Sequence, residues 1–423
     1  METIRIARVG AEAEGVGTAP DGTPRYIPLT LPDELVRALP GARRGKGRAA
    51  TLDHILEPSA ARVAPPCPHF GACGGCSLQH WQDAAYRDWK AGLLRAALDR
   101  AGFAEAPVAP LVAGAPGLRR RMDFAARRTH HGAMLGLHRA HADAVIDLTE
   151  CLVLHPTLQA LIAPLRALLG KLDVFRRAGD AVANLLDGGP DLLLRLDGEA
   201  SLADRRKLAD FARAAGLVRL SLAPKSGGTP EPVAVLHRPV VTLSGIAVSP
   251  PPGAFLQASE AGEAAIVGAV LAGLPARLPR GAIADLYAGC GTLGCALAAR
   301  APVAAFEGDA AAVAALRQAA GHAGLSGRLT ATERDLARQP LQTAELARFA
   351  AVVLDPPHGG AAAQAATIAA ARAKHVIYVS CNPQALARDL VPFKAAGYRV
   401  KAATPIDQFV YSARLESVVV LEI

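Results

Sequence analysis

Four short motifs in this chain combine residue types that could do chemistry. Asp285-Leu-Tyr-Ala-Gly289-Cys-Gly291-Thr292 follows a predicted strand and precedes a predicted helix. Its glycines let the backbone turn tightly and approach a ligand. Glu307 closes the next predicted strand, where a carboxylate can accept hydrogen bonds from two ribose hydroxyls. The loop lacks the Gly-x-Gly-x-x-Gly of dinucleotide binders and the Lys-Ser/Thr of a phosphate-binding loop. A cofactor with ribose and adenine but no phosphate, S-adenosylmethionine, suits it better. Asp355-Pro-Pro357 ends a further strand in a rigid turn poor in N–H groups. Alone, it suggests methylation of an exocyclic amine. Ser380-Cys381-Asn-Pro383 argues against that chemistry, which needs no thiol. Cys381 reads either as an inert buried small residue or as a thiol activated by nearby helix-terminal N–H groups. Glu416, just before the last strand, is either a strand-edge acid or a base in the same cleft.

A separate group lies at Cys67-x5-Cys73-Gly-Gly-Cys76. The chain has seven cysteines, and an odd number argues for metal binding or catalysis over a disulfide framework. The intervening glycines allow backbone N–H groups to point at inorganic sulfur. Thiolates also suit tetrahedral zinc. A radical S-adenosylmethionine enzyme would usually space its cysteines by three and two residues, unlike the five and two found here.

Regular elements must position these residues. Residues 1–57 read as a small β unit, with alternation over 3–9, turn signals at Gly15-Val-Gly17 and Asp21-Gly-Thr-Pro24, and a second strand over 26–29. The run Arg37, Arg43, Arg44, Lys46, Arg48 is either a solvated loop or a phosphate-contacting surface. An amphipathic helix is expected over 78–101. Residues 108–245 show short strands, helices over 158–169 and 203–215, and a second basic stretch from Arg119 through Arg139. His130, His131, His138 and His141 are interleaved with or follow that stretch. Beyond residue 250, strands over 282–287, 303–307, 329–332, 350–354, 375–380, 400–404 and 417–422 are interspersed with helices over 260–274, 293–301, 310–323, 361–371 and 384–395. That order predicts an α/β, doubly wound, mostly parallel sheet with ligands at the carboxyl ends of its strands.

A length of 423 residues suggests two to four domains, and 51% hydrophobic with 20% charged residues excludes a disordered chain. The net charge of +8 permits a polyanionic partner. The longest plainly apolar stretch, 264–276, is short of the ~20 residues a bilayer requires. The opening METIRIARVG is charged where a signal peptide is apolar, so a reducing cytoplasm is the expected compartment.

Taken together, Asp285-Leu-Tyr-Ala-Gly-Cys-Gly, Asp355-Pro-Pro, Ser380-Cys-Asn-Pro and the late Leu415-Glu-Ser resemble the RNA 5-methyluridine methyltransferase family over residues 253–423. Residues 10–31 look like that family's TRAM domain, a small RNA-binding barrel. Cys67, Cys73 and Cys76 with Cys151 resemble its iron–sulfur site, [4Fe-4S] being expected and zinc the alternative. The resemblance implies three parts: a TRAM-like barrel over 1–57, a central α+β domain with the cluster over 58–245, and a class I S-adenosylmethionine methyltransferase domain over 246–423.

It also implies roles. Uracil C5 is a poor nucleophile until a thiolate, Cys381, adds to C6; Glu416 would then remove the C5 proton. Gln257, Tyr287, Thr292, Glu307 and Asp355 map onto the family's cofactor residues, with Asp335 as an adenine contact. The target uridine would be unstacked into the cleft. Many family members acting on large-subunit ribosomal RNA carry the cluster, and those acting on transfer RNA generally lack it, so 23S ribosomal RNA is the expected substrate and a monomer the expected form. Three positions depart from the pattern: His358 where Arg is usual, Thr292 where Asn is frequent, and Phe409-Val-Tyr-Ser412 for Phe-Pro-His-Thr. The same chemistry on transfer RNA, and a non-catalytic RNA-binding protein, are the competing expectations.

Overall fold

A computed structural model describes residues 1–140 and 142–423; His141 of the second basic stretch lies outside the described residues. β1 (Glu2–Val9), β2 (Glu14–Thr18), β3 (Pro24–Pro28), β4 (Leu35–Arg44) and β5 (Gly47–Glu57) close into a barrel in the order β1-β2-β3-β5-β4. Alternation along β1 turns Ile4 and Ile6 inward onto Ile27, Val36, Ala38 and Ala50. Gly17 is required here: a Cβ would lie 2.4 Å from the Ile4 side chain and 2.5 Å from the Arg5 carbonyl oxygen. The basic run is not a loop but the hairpin β4–β5. Within it, Arg37 pairs with Asp53 at 2.6 Å and Arg44 with Glu14 at 2.9 Å. Arg43 and Lys46 at its tip are exposed and make no ion pair among the described residues.

α1 (Asp83–Arg100) starts five residues later than the periodicity predicts. The reason is tertiary: the Ser77 and Leu78 amides donate to the Tyr411 carbonyl, and a turn follows at Gln79 and His80, closed by the Trp81 amide on the Leu78 carbonyl. The central sheet is built from β6 (Arg121–Thr129), β7 (Gly132–His138), β8 (Val145–Asp147), β9 (Ala178–Leu186), β10 (Gly189–Leu196), β11 (Arg219–Pro224) and β12 (Glu231–Val235), in the order β12-β11-β10-β9-β6-β7-β8. α2 (Pro156–Gln159), α3 (Ile162–Leu169) and α4 (Leu202–Ala214) accompany it, with a leucine-rich core. β13 (Val241–Leu243) and β14 (Ile246–Val248) form a small hairpin.

The C-terminal unit runs α5 (Glu260–Gly273), β15 (Ala282–Leu286), α6 (Thr292–Leu297), β16 (Val303–Glu307), α7 (Ala310–His322), β17 (Leu329–Glu333), α8 (Thr343–Leu346), β18 (Phe349–Leu354), α9 (Ala362–Ala370), β19 (His375–Ser380), α10 (Pro383–Asp389), α11 (Val391–Ala395), β20 (Arg399–Ile406) and β21 (Glu416–Glu422). Pro392 divides the single helix expected over 384–395 into α10 and α11. The sheet order is β17-β16-β15-β18-β19-β21-β20, with β15–β19 parallel and β21 antiparallel to both its neighbours.

One core lies on the sheet face covered by α5–α7; the other is shared with α8–α11 and α1. Leu93, Leu94, Leu98 and Phe103 belong to that second core, and residues 108 and 112 bridge to β20 at Ala403 and Ile406. Residues 83–112, which the expected boundaries at 57/58 and 245/246 assign to the central part, pack on the C-terminal sheet, and position 245/246 falls in the turn of the β13–β14 hairpin. Among the described residues, no helix is long and apolar enough to cross a membrane.

Candidate active site

Sheet register assembles the site. Parallel pairing aligns Leu286, Phe306, Leu354 and Tyr378, so the chain leaves β15, β16, β18 and β19 at one edge, at Tyr287, Glu307, Asp355 and Cys381. The antiparallel pair β19–β21 matches Ser380 with Ser417, which sets Glu416 beside Cys381. Residues far apart in sequence meet because one strand ends where its antiparallel neighbour begins.

On the β15–β16 side, Gly289 and Gly291 have positive φ (54° and 99°), the left-handed region that glycine enters without strain. Tyr287 does so at 62° with a side chain, a conformation the surrounding loop must enforce. The Glu307 carboxylate accepts from the Gly289 and Asp309 amides, both at 2.8 Å, and so pins the glycine loop to the end of β16. Burial, with Asp389, Asp335 and Glu307 nearby, pushes the Tyr287 phenol up to about 12. Asp335 is exposed and accepts from the Ala337 amide at 3.0 Å, and Thr292 opens α6. Beneath this loop the fully buried Asp285 carboxyl makes no well-formed hydrogen bond among the described residues, and burial followed by Asp355 pushes it up to about 8.

On the β18–β21 side, a side-chain chain joins two carboxyls. Gln257 Nε2 donates to Asp355 at 3.2 Å. Gln408 Nε2 donates to Gln257 Oε1 and to Glu416 Oε2, both at 2.7 Å, and Gln408 Oε1 accepts from the Ala258 amide at 3.0 Å. Glu416 is buried, and its other oxygen has no partner among the described residues. Burial, then the Asp355 charge, holds its carboxyl well above the ordinary carboxylate range. Gln408 escaped sequence reasoning, although it stands in the Asp407–Glu416 segment; a glutamine carries no signal until its two partners are known.

Cys381 differs from its sequence expectation. Burial, then Glu416 and Asp355, pushes its thiol up to about 12, although the residue precedes a helix. The helix offers the sulfur little. The Asn382 side chain accepts from the Gln384 amide at 3.0 Å, and Ser380 Oγ accepts from the Asn382 amide at 3.2 Å. The thiol instead faces His358 Nδ1 at 3.8 Å.

The segment carrying Gln408 and Glu416 is anchored from α1. Buried Lys90 donates to Asp407 at 2.8 Å and to the carbonyls of Phe409 and Arg414. Tyr86 donates to the other Asp407 oxygen at 2.5 Å and accepts from the Tyr411 amide at 2.9 Å. The Tyr411 carbonyl in turn receives the Ser77 and Leu78 amides at 2.7 and 3.1 Å, so the cysteine segment and the Glu416 segment are hydrogen-bonded to each other.

Cys67, Cys73, Cys76 and Cys151 line the same cavity of about 910 Å³ as Cys381, Gln408 and Arg414. Burial pushes Cys76 up to about 12 and raises Cys73 and Cys151, and neighbouring cysteines add to each shift. A set of thiols suits a soft metal or an iron–sulfur cluster. Among the described residues, however, no three His, Cys, Asp or Glu side chains are arranged to hold an ion as they stand. Of the second basic stretch, Arg120 is excluded from any nucleic-acid surface. It is buried, donates to Glu263 at 2.5 Å and to the Gln257 carbonyl at 3.2 Å, and so fixes the loop bearing Gln257.

Four likenesses to known proteins and families accompany this geometry. The profile of the tRNA (Uracil-5-)-methyltransferase family matches residues 324–423. An RNA methyltransferase of Brucella melitensis, itself described as uncharacterized, is 40% identical over 424 residues, covering 99% of this chain and 97% of that protein. The 23S rRNA (uracil(1939)-C(5))-methyltransferase RlmD of Halomonas elongata is 34% identical over 430 residues, covering 99% of this chain and 88% of that protein. Among solved structures, the tRNA (uracil-54, C5)-methyltransferase of Pyrococcus abyssi with S-adenosyl-L-homocysteine superposes with TM-score 0.74 over 100% of both chains. At 21% identity, that likeness speaks to the fold alone.

Proposed function

The chain belongs to the RNA (uracil-C5) methyltransferase family, and from that premise we propose that it methylates C5 of a uridine in 23S ribosomal RNA, with Cys381 as nucleophile and Glu416 as base. S-adenosylmethionine, when bound, supplies an electrophilic methyl group. Gln257, Tyr287, Thr292, Glu307, Asp335 and Asp355 would hold it, Glu307 at the ribose hydroxyls and Asp335 at the adenine. Cys381 Sγ adds to C6 of the flipped base, and the electron pair moves toward C5, which becomes nucleophilic. After methyl transfer, Glu416 takes the C5 proton; the C6–S bond then breaks and frees the thiol.

The observation carrying this reading is Glu416: a buried carboxyl beside Cys381, with one oxygen held by Gln408 and the other without a partner among the described residues. A carboxyl above its ordinary pKa is a stronger base toward a carbon acid, and its free oxygen is available to the proton. Ribosomal rather than transfer RNA is favoured by relatives spanning nearly the whole chain, the enzymes named RlmD in Halomonas elongata and in Pectobacterium atrosepticum, the latter 32% identical.

The closed barrel would serve as a TRAM-like RNA-binding module, with Arg43 and Lys46 at its tip. Cys67, Cys73, Cys76 and Cys151 would hold a [4Fe-4S] cluster, zinc being the alternative. Its support is the shared cavity and the soft donor set, and its role is to brace the segment docked on Tyr411. Iron and sulfide analysis of anaerobically purified protein tests it.

The deciding experiment is labelled methyl transfer to separate 23S ribosomal and transfer RNA pools lacking 5-methyluridine, with Cys381→Ala as control. Label in 5-methyluridine of ribosomal RNA only, lost with Cys381→Ala, is expected. Label in transfer RNA would overturn the substrate, and label retained by Cys381→Ala would overturn the mechanism.

A further inference from the structure

His358 stands against the sulfur that the proposed reaction uses, and nothing so far assigns it a role. Its Nδ1 lies 3.8 Å from Cys381 Sγ, within the reach of a sulfur hydrogen bond. The backbone on either side is fixed. The His358 carbonyl accepts from Asn382 Nδ2 at 2.9 Å, and the Gly359 carbonyl from Arg388 at 2.7 Å. The Gly360 amide closes the turn onto the Pro357 carbonyl at 2.8 Å. Asn382, which holds His358, is the residue next to the nucleophile. The ring is exposed on the wall of the cavity that also displays Cys381, so both groups face the space a substrate base would enter.

We propose that His358 is a catalytic residue: its Nδ1 accepts the Cys381 proton as the sulfur attacks C6 of the pyrimidine, and returns it when the C6–S bond breaks. The inference rests on the uracil reading for its substrate, but not for the thiol–imidazole pair itself. The proton balance closes. The S–H proton passes to Nδ1 while the S–C6 bond forms and the C5–C6 π pair becomes nucleophilic at C5. The C5 proton leaves separately, to Glu416. Rupture of C6–S restores the C5–C6 double bond, and the departing sulfur recovers its proton from the imidazolium.

Other groups divide the work accordingly. Glu416, Asp355 and Arg414 also face the thiol, and Arg414 faces the imidazole. The two carboxylates and burial oppose a free thiolate, so the sulfur needs a partner that removes its proton during attack. Partial burial and Arg414 hold the imidazole pKa below its ordinary value, which keeps the ring neutral and able to accept. Asn382 Nδ2 is 3.5 Å from Nε2 and already donates to the His358 carbonyl. The attack uses the tautomer with its proton on Nε2, which leaves Nδ1 free to accept.

The test compares His358→Asn and His358→Gln with the parent. The parent is expected to show iodoacetamide alkylation of Cys381, followed by peptide mass spectrometry without RNA, that rises with deprotonation of the imidazole. In both variants the rise should move up by about one pH unit or more. Methyl transfer at pH 7 should fall on the order of 100-fold, and added imidazole should restore part of it in His358→Gly. Unchanged alkylation profiles in folded variants would overturn the pair, even if methyl transfer fell through weaker RNA binding. Because alkylation needs no RNA, it judges His358 even if uridine is not the substrate.

Discussion

Replacing Gln408 with leucine, close in size but apolar, removes the bridge between the two halves of the site. Three hydrogen bonds go: those to Gln257 and Glu416 at 2.7 Å and that from the Ala258 amide at 3.0 Å. The bond to Glu416 is charge-assisted when the carboxyl is ionised, and such bonds contribute about 1.5–3 kcal/mol. At 1.36 kcal/mol per pKa unit, its loss raises the base by roughly 1–2 units. Glu416 already lies near 8, so at pH 7.5 its ionised fraction should fall about 10–100-fold, and the rate with it. Tritium release from RNA labelled at uridine C5 reads the proton step directly. The variant should lose most at pH 7 and approach the parent rate near pH 10. A loss equal at every pH, or none, would refute the assignment of Gln408 to the base.

Lys90→Met should destabilise the protein by about 3–5 kcal/mol, because it strands Asp407 in the interior; denaturant unfolding checks it. Asp285→Asn should stabilise it in a pH-dependent way. A carboxyl whose folded pKa is raised destabilises the native state increasingly as pH climbs from its unfolded value near 3.8 to about 8. The gain in melting temperature should thus grow from pH 5 to pH 8 and level off above. Charge reversal at Arg43 and Lys46 should weaken RNA affinity about equally across sequences and flatten its salt dependence; the same change at Arg44, already paired with Glu14, should do less. An unchanged salt slope at Arg43 and Lys46 would remove the barrel tip from the RNA surface.

Local pattern alone dictates the alternation of strands and helices beyond residue 250, and with it the edge at which Tyr287, Glu307, Asp355 and Cys381 emerge. These features need only local periodicity and turn chemistry, because each motif sits at the end of its own strand. It also singled out the cysteine spacing and Glu416, since rare side chains in short patterns announce themselves. Tertiary structure decided what depends on partners. The thiol pKa rose instead of falling, because burial and then two carboxyls oppose the thiolate, while Asn382 and Ser380 take nearby helix-end amides. The basic run became a hairpin with two of its arginines neutralised, and Arg120 proved an internal brace. Gln408 acquired a role only when antiparallel pairing brought Glu416 beside Cys381, and His358 only when its turn folded onto the same sulfur. Hydrogen bonds and desolvation are properties of pairs and enclosures, and no window of sequence contains both members of a pair separated by more than one hundred residues, as Gln257 and Gln408 are.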